Sequence, residues 1–178
     1  RLDVFVVPPP RGPSTAQRCK LADDVCCALR YLHTQQPQLV HGDIKGSNII
    51  VEQSCEGGLN AKLLDFGLGR VLTKRALPLG GTLAWRAPEL LRSESRPPAT
   101  SADVFSLGRL LYKLATGQQP LAGWERSKIV DYARKNITIL VQWPEVPLVE
   151  EFRSISAACT RTDESKRPSV DEEPPVWP

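Results

Sequence analysis

Apolar and polar residues alternate along this chain with periods that change several times, and each change predicts an element. From Ala16 to His33 the apolar positions Leu21, Val25, Ala28, Leu29 and Leu32 recur at spacings of three and four, the stripe of an amphipathic helix. Ser14 or Thr15 can cap its start, and Pro37 forbids its continuation. The runs "NIIVEQ" and "AKLLDFG" are short and rich in branched residues. They are separated by "SCEGGLN", in which Gly57, Gly58 and Asn60 supply turn chemistry, and the pattern predicts a β-hairpin. The strongest helical signal is "TSADVFSLGRLLYKLATG". Thr100 or Ser101 is the expected cap, Asp103 lies in the first turn, Gly117 is the expected C′ residue, and Val104, Leu107, Leu110, Leu111 and Leu114 form a wide stripe. This predicts a buried central helix over 101–116. Weaker helical patterns follow near 125–135 and 148–159. Residues 1–15 read as a short apolar stretch and a Pro-rich turn region, and 171–178, "DEEPPVWP", as a frayed or cut end. The expected fold is mainly α with one small hairpin, in a single domain spanning 16–170.

Composition narrows the function classes. The 178 residues are 41% hydrophobic and 24% charged, an ordinary globular mix, and the net charge of +3 is too small to argue for nucleic acid. No apolar run approaches the length of a membrane span, and no secretory signal pattern is present. The five cysteines include no CxxC pair and the only histidines are His33 and His41, so a zinc site is not expected. Reduced thiols and a cytoplasmic setting are the simplest reading. Cys26 and Cys27 on the first helix are read as packing residues. The chain contains no Met and begins with Arg1, which suggests a piece of a longer protein.

One stretch does not fit a packed core. "HGDIKGSN", His41 to Asn48, places the carboxylate of Asp43, the ammonium of Lys45 and the amide of Asn48 within six residues, between the apolar "LV" and "IIV". Such a set suits a loop that handles phosphate and a metal ion. Taken singly, each residue has a plainer reading: Asp43 and Asn48 as turn formers, Lys45 as a solvated surface lysine, and Asp65 as a turn residue at a strand end.

"HGDIKGSN" is followed in order by "DFG" at Asp65–Gly67, "APE" at Ala87–Glu89 and the helix carrying Asp103. In this combination the chain resembles the large C-terminal lobe of a eukaryotic-type protein kinase over about 16–169. A lone DFG is weak, but HxDxKxxN with DFG and APE downstream makes coincidence a poor explanation. The resemblance implies the following roles. Asp43 orients the substrate hydroxyl and accepts its proton, and Lys45 steadies the transferring phosphate. Asn48 and Asp65 hold Mg²⁺ together with the ATP phosphates. His41 packs against Phe66 to support the loop, and Gly67 gives the backbone freedom after Asp65. Thr82 contacts the catalytic aspartate and lysine. Glu89 and Arg167 form a buried ion pair. Asp103 hydrogen-bonds the catalytic-loop backbone, although a helix N-terminal acid favoured by the dipole is an equally good reading of that residue.

"DIKGSN" and Thr82 are similar to serine/threonine kinases, and Trp85 to their tyrosine-kinase-like group. The implied activity is phosphoryl transfer from ATP to a protein serine or threonine. One departure stands out. Most family members carry arginine where Gly42 lies, and that arginine grips an activation-segment phosphate, so regulation by such a phosphate is not expected here. The family's small N-terminal lobe, with its Gly-rich loop and strand lysine, has no counterpart in the sequence. The expectation is therefore an active kinase in a longer chain, with the 178 residues alone binding ATP weakly and inactive. The alternatives are a catalytically inactive partial kinase that serves as a binding or scaffolding module and, further off, a small-molecule kinase of related fold.

Overall fold

The computed structural model describes residues 1–8, 12–54, 58–65, 80–93, 96–145 and 149–170, without the side chains of 80–82 and 149. Cys55, Phe66, Gly67, Thr73 and the 171–178 end lie outside the described residues, as does the Thr82 side chain. The elements are α1 (Leu2–Phe5), α2 (Thr15–His33), β1 (Ile49–Gln53), β2 (Leu59–Leu63), α3 (Pro88–Arg92), α4 (Thr100–Thr116), α5 (Arg126–Arg134) and α6 (Val149–Cys159), with 3-10 turns at Gly46–Asn48, Gly80–Trp85 and Glu164–Lys166. The architecture is mainly helical with one two-stranded antiparallel sheet.

Helix α2 begins with a reciprocal capping box. Ser14 Oγ accepts from Gln17 N at 3.3 Å, and Gln17 Oε1 accepts from Ser14 N at 2.8 Å, so two of the helix's orphan donors are satisfied. Its buried face carries Leu21, Val25, Leu29 and Leu32, while Ala28 is half-buried and Cys27 is exposed. The other side of α2 holds the hairpin: Asp24 Oδ2 accepts from Ala61 N at 2.8 Å, which satisfies an edge donor of β2. The strands pair in the register Ile49↔Leu63, Val51↔Ala61 and Gln53↔Leu59. Asn60, read from sequence as a turn residue, pairs with Glu52 inside the ladder, and β2 ends at Leu63, short of the DFG stretch.

Helix α4 is the centre of the molecule. Every residue from Ala102 to Thr116 is buried, so it is covered all round and not along a stripe alone. Leu107, Leu110, Leu111 and Leu114 share one core cluster with α2, Ile44, Ile49, Leu63, Trp85 and Phe152. Burying each such side chain contributes about 1.5–3 kcal/mol relative to exposure. The expected caps at Thr100 and Ser101 are not used. The N-cap is Ala99, which makes no side-chain bond; instead the first turn tightens, with Ala102 N donating to Ala99 O at 2.9 Å. At the other end Gly117 takes φ 72°, and its N–H donates to Lys113 O at 2.8 Å, closing the helix as expected.

Two contacts were not legible in the sequence pattern. The opening stretch forms a helical turn whose Leu2 and flanking Val6 are fully buried in the main cluster. Arg18, itself buried, ties that segment down with three carbonyl bonds, to Pro13 O at 2.9 Å, Val7 O at 3.1 Å and Leu114 O. Among the described cysteines Cys19, Cys26, Cys27 and Cys159 are all free thiols. Burial pushes the Cys26 and Cys159 thiols up to about 12, which leaves them unreactive as nucleophiles.

Helices α4 and α6 approach at Gly108. Ser156 Oγ donates to Gly108 O at 2.7 Å, and a Cβ on Gly108 would lie 2.7 Å from Thr160 Cγ2, 2.8 Å from Cys159 Cβ and 3.0 Å from Ser156 O. Alanine normally stabilises a helix interior relative to glycine. Here the steric cost wins: Gly108→Ala is expected to destabilise the fold by about 1–3 kcal/mol. The shift would be read from the urea midpoint at unchanged m-value, and a stabilised variant would show that the two helices have room to part.

Candidate active site

The loop of 41–48 is built on Asp103. The carboxylate is fully buried in the first turn of α4. Oδ2 accepts from His41 N at 2.8 Å and Oδ1 from Gly42 N at 2.8 Å. Oδ2 also lies 3.0 Å from Nε2 of His33, the last residue of α2, which is itself buried. Asp103 thus binds the loop backbone while also standing as an acid in the first turn of the helix.

His41 carries the loop across to the hairpin. Its Nε2 donates to Leu64 O at 2.8 Å, and its Nδ1 accepts from Asp43 N at 3.2 Å. A carbonyl can only accept and an amide N–H can only donate, so the two bonds place the ring proton on Nε2. Leu64 N in turn donates to Asn48 O at 2.9 Å. Leu64 is therefore bonded to both ends of the loop, and Asp65, the next residue, emerges beside it. Asp65 is exposed and holds φ 64°, a left-handed conformation that an aspartate tolerates better than most residues.

Within the loop three side chains converge. Lys45 Nζ donates to Asp43 Oδ2 at 2.6 Å. Asn48 Nδ2 donates to the same Oδ2 at 2.9 Å and to Asp43 O at 2.9 Å. Both bonds fall on Oδ2, so among the described residues Asp43 Oδ1 accepts nothing. Ile44 and Ile49, both buried, pin the loop from below, and the 3-10 turn Gly46–Asn48 leads it into β1. These two bonds aim a half-exposed carboxylate, a geometry suited to accepting a proton from a bound hydroxyl.

On the other side of α4, Arg167 grips Glu89. Nη1 donates to Oε1 at 2.6 Å and Nη2 to Oε2 at 2.9 Å, a bidentate pair with both side chains almost fully buried. The remaining donors are used as well: Nε bonds Arg161 O at 2.9 Å and Nη1 bonds Ser101 O at 2.9 Å. The guanidinium also lies 5.0 Å from the Phe105 ring centroid. This pair ties α3 to the segment that follows α6.

A family model described as the protein kinase domain matches residues 11–173. The chain belongs to the protein kinase domain family. It is 34% identical over 158 residues to serine/threonine-protein kinase CTR1 of Arabidopsis thaliana, covering 86% of this chain and 18% of that protein. It is 32% identical over 166 residues to receptor-interacting serine/threonine-protein kinase 3 of Homo sapiens, covering 86% of this chain and 31% of that protein. A third relative, the mitogen-activated protein kinase kinase kinase of Drosophila melanogaster, is 29% identical over 157 residues, covering 85% of this chain and 13% of its own. The chain thus spans 13–31% of the length of these relatives.

In this kinase domain the structure brings Asp43, Lys45, Asn48, His41 and Asp103 into one bonded cluster with Asp65 at its edge, and sets Glu89 and Arg167 apart from it as a pair. Thr82 lies on the Gly80–Trp85 turn. Trp85 is buried in the main core, and its carbonyl accepts from Ser106 Oγ at 2.9 Å. Sequence reasoning missed His33. A lone histidine at a helix end carries no signal of its own, and its role depends on Asp103, seventy residues away.

Gly42, the departure from the family pattern, has a backbone reason. Its φ is 78°, and a Cβ there would meet Pro98 Cγ at 3.3 Å. Gly42→Arg is expected to destabilise the domain by about 1–2 kcal/mol, since the loop must either hold a side chain at positive φ or shift its bonds to Asp103. Chemical denaturation measures this, and a variant as stable as the parent would show that the loop relaxes freely.

Proposed function

We propose that this domain transfers the γ-phosphoryl group of ATP to a serine or threonine hydroxyl of a protein substrate, acting as the large lobe of a kinase in a longer protein. One observation carries the reading: Lys45 and Asn48 both bond Asp43 Oδ2, at 2.6 and 2.9 Å, on a loop whose backbone is held by buried Asp103. Phosphoryl transfer asks a protein mainly to position groups and to offset charge. Asp43 Oδ1 orients the substrate hydroxyl and takes its proton as the oxygen attacks. Lys45, a compact ammonium with three donors, sits against Asp43 and brings positive charge to the phosphoryl oxygens. The family resemblance assigns Thr82, whose side chain lies outside the described residues, a part in favouring a serine or threonine acceptor.

The donor chemistry fits Mg²⁺. Asn48 gives Nδ2 to Asp43, so its amide oxygen could serve a cation, and Asp65 would add an exposed carboxylate. One neutral and one charged hard oxygen suit an ion that takes its other ligands from water and phosphate. When bound, Mg·ATP supplies the phosphoryl group and neutralises its charge.

Two outcomes test the reading in the intact protein. Asp43→Asn keeps the shape and a bond to Lys45 in reach but removes the proton acceptor. Turnover is expected to fall on the order of 10²–10⁴-fold with thermal stability nearly unchanged, and unaltered turnover would remove Asp43 from the role and favour a binding module. Activity is also expected to be independent of phosphorylation at Thr73, because Gly42 has no side chain to grip a phosphate. Thr73→Ala should keep kinase activity within about twofold, whereas a large loss restored by Thr73→Glu would show that the segment is phosphate-dependent.

A further inference from the structure

The loop carries a second glycine, at position 46, and its backbone does not explain it. Gly42 holds a positive φ and Gly46 does not, so the conformation of the 3-10 turn does not call for glycine. The reason is a close approach. A Cβ on Gly46 would run into Oδ1 of Asp3 and lie 2.6 Å from its Cγ and 3.2 Å from its Oδ2. The Asp3 carboxylate, carried by α1, therefore rests on the turn with Oδ1 leading.

Asp3 is seated there from its other side. Leu2 and Val6, fully buried, fix α1 in the core. The chain leaving α1 packs on the end of α4, where a Cβ on Gly117 would lie 2.6 Å from Val7 O. Gln119, just past that glycine, donates from Nε2 to Asp3 Oδ1 at 3.2 Å. Two buried cations of the same corner spend their hydrogen bonds on carbonyls: Lys113 Nζ donates to Gly117 O at 2.8 Å, and Arg18 to the three carbonyls already described. Burial pulls the Lys113 ammonium below its ordinary value and the Asp3 carboxylate pushes it back up, so Asp3 supplies negative charge to this corner.

Helix α4 thus meets the loop at two places. Its first turn binds the backbone of His41 and Gly42 through Asp103, and its far end reaches Gly46 through Gln119 and Asp3. Gly46 lies between Lys45 and Asn48, which both bond Asp43 Oδ2. Asn48 N donates to Lys45 O at 2.9 Å and Ile49 N to Gly46 O, so a displacement of Gly46 is passed to both side chains.

We propose that Asp3 is a positioning residue for this loop: its carboxylate, resting on Gly46, fixes the turn that aims Lys45 and Asn48 at Asp43. The consequence for turnover rests on the kinase reading, whereas the contact does not.

In the intact protein, Asp3→Ala is expected to lower kcat on the order of tenfold while KM for the protein substrate stays within about twofold, because the aim of the loop counts in the transition state. Gly46→Ala pushes the same carboxylate off the turn and should give a similar loss. The double variant should be no worse than the worse single one, since both changes break one contact; losses that multiply would overturn the proposal. Hydrogen exchange gives a readout that needs no turnover. In Asp3→Ala the amides of Asn48 and Ile49 should exchange at least about fivefold faster, while those of His41 and Gly42, held by Asp103, keep the parent rate. Unchanged exchange at 48 and 49, or acceleration spread evenly over the domain, would sink the idea. So would faster exchange there with kcat unaltered, which is a contact without a positioning role. Should Gly46→Ala fail to fold, recovery of folding in the double variant would support the contact, and a double variant that also fails would refute it. A parent without turnover would count against the kinase reading, and the exchange rates would still decide whether Asp3 holds the turn.

Discussion

The Asp103 carboxylate is withdrawn from water at the start of the central helix, and the backbone N–H groups of His41 and Gly42 converge on it together with the His33 ring. Desolvating a carboxylate is expensive unless donors replace its water, and here the replacements are the loop that carries Asp43, Lys45 and Asn48. The same bonds that make a buried charge tolerable therefore fix the loop backbone. Removing the carboxylate would strand two amide donors, and removing the loop geometry would strand the carboxylate. Stability and positioning are one requirement at this point.

The rest of the scaffold serves to deliver partners to that carboxylate. Helix α2 ends at His33 because its capped start and its apolar stripe set its length and face against α4. The hairpin returns the chain so that Leu64 bonds both His41 and Asn48, and Asp65 follows immediately. Positive φ at Gly42, which glycine adopts freely, and at Asp65, where it costs a small amount of strain, brackets this arrangement. On the far side of α4, the Glu89–Arg167 pair and the Gly108 contact keep α3 and α6 against the same helix, so the central element is held from every direction.

Arg109 adds a different kind of constraint. Among the described residues it makes a single hydrogen bond, to Ile139 O, and its Nε is buried without a partner. A buried donor without a partner is uncommon in structural cores.

Much of this was legible along the chain. Local rules gave α2, α4, α5 and α6 and the Gly117 terminus, because periodicity, a proline and a C′ glycine act through neighbouring residues. The motif residues Asp43, Lys45 and Asn48 were legible because five positions of loop are short enough for spacing to force proximity. The cap of α4 was misread, since Ser101 and Thr100 looked like the available oxygens while a tightened turn, with Ala102 N donating to Ala99 O, met the need. The Leu2–Val6 segment, the His33 bond to Asp103 and the buried, unmatched Arg109 were invisible. Each depends on a partner dozens of residues away, and a one-dimensional pattern records how far apart residues lie in the chain but not which helix faces close on which. The order of elements and the chemistry of the loop were therefore determined by the sequence itself. Which carboxylate holds the loop, and which charge is left without a partner, was decided by packing, because burial is a property of the assembled layers and not of any residue in them.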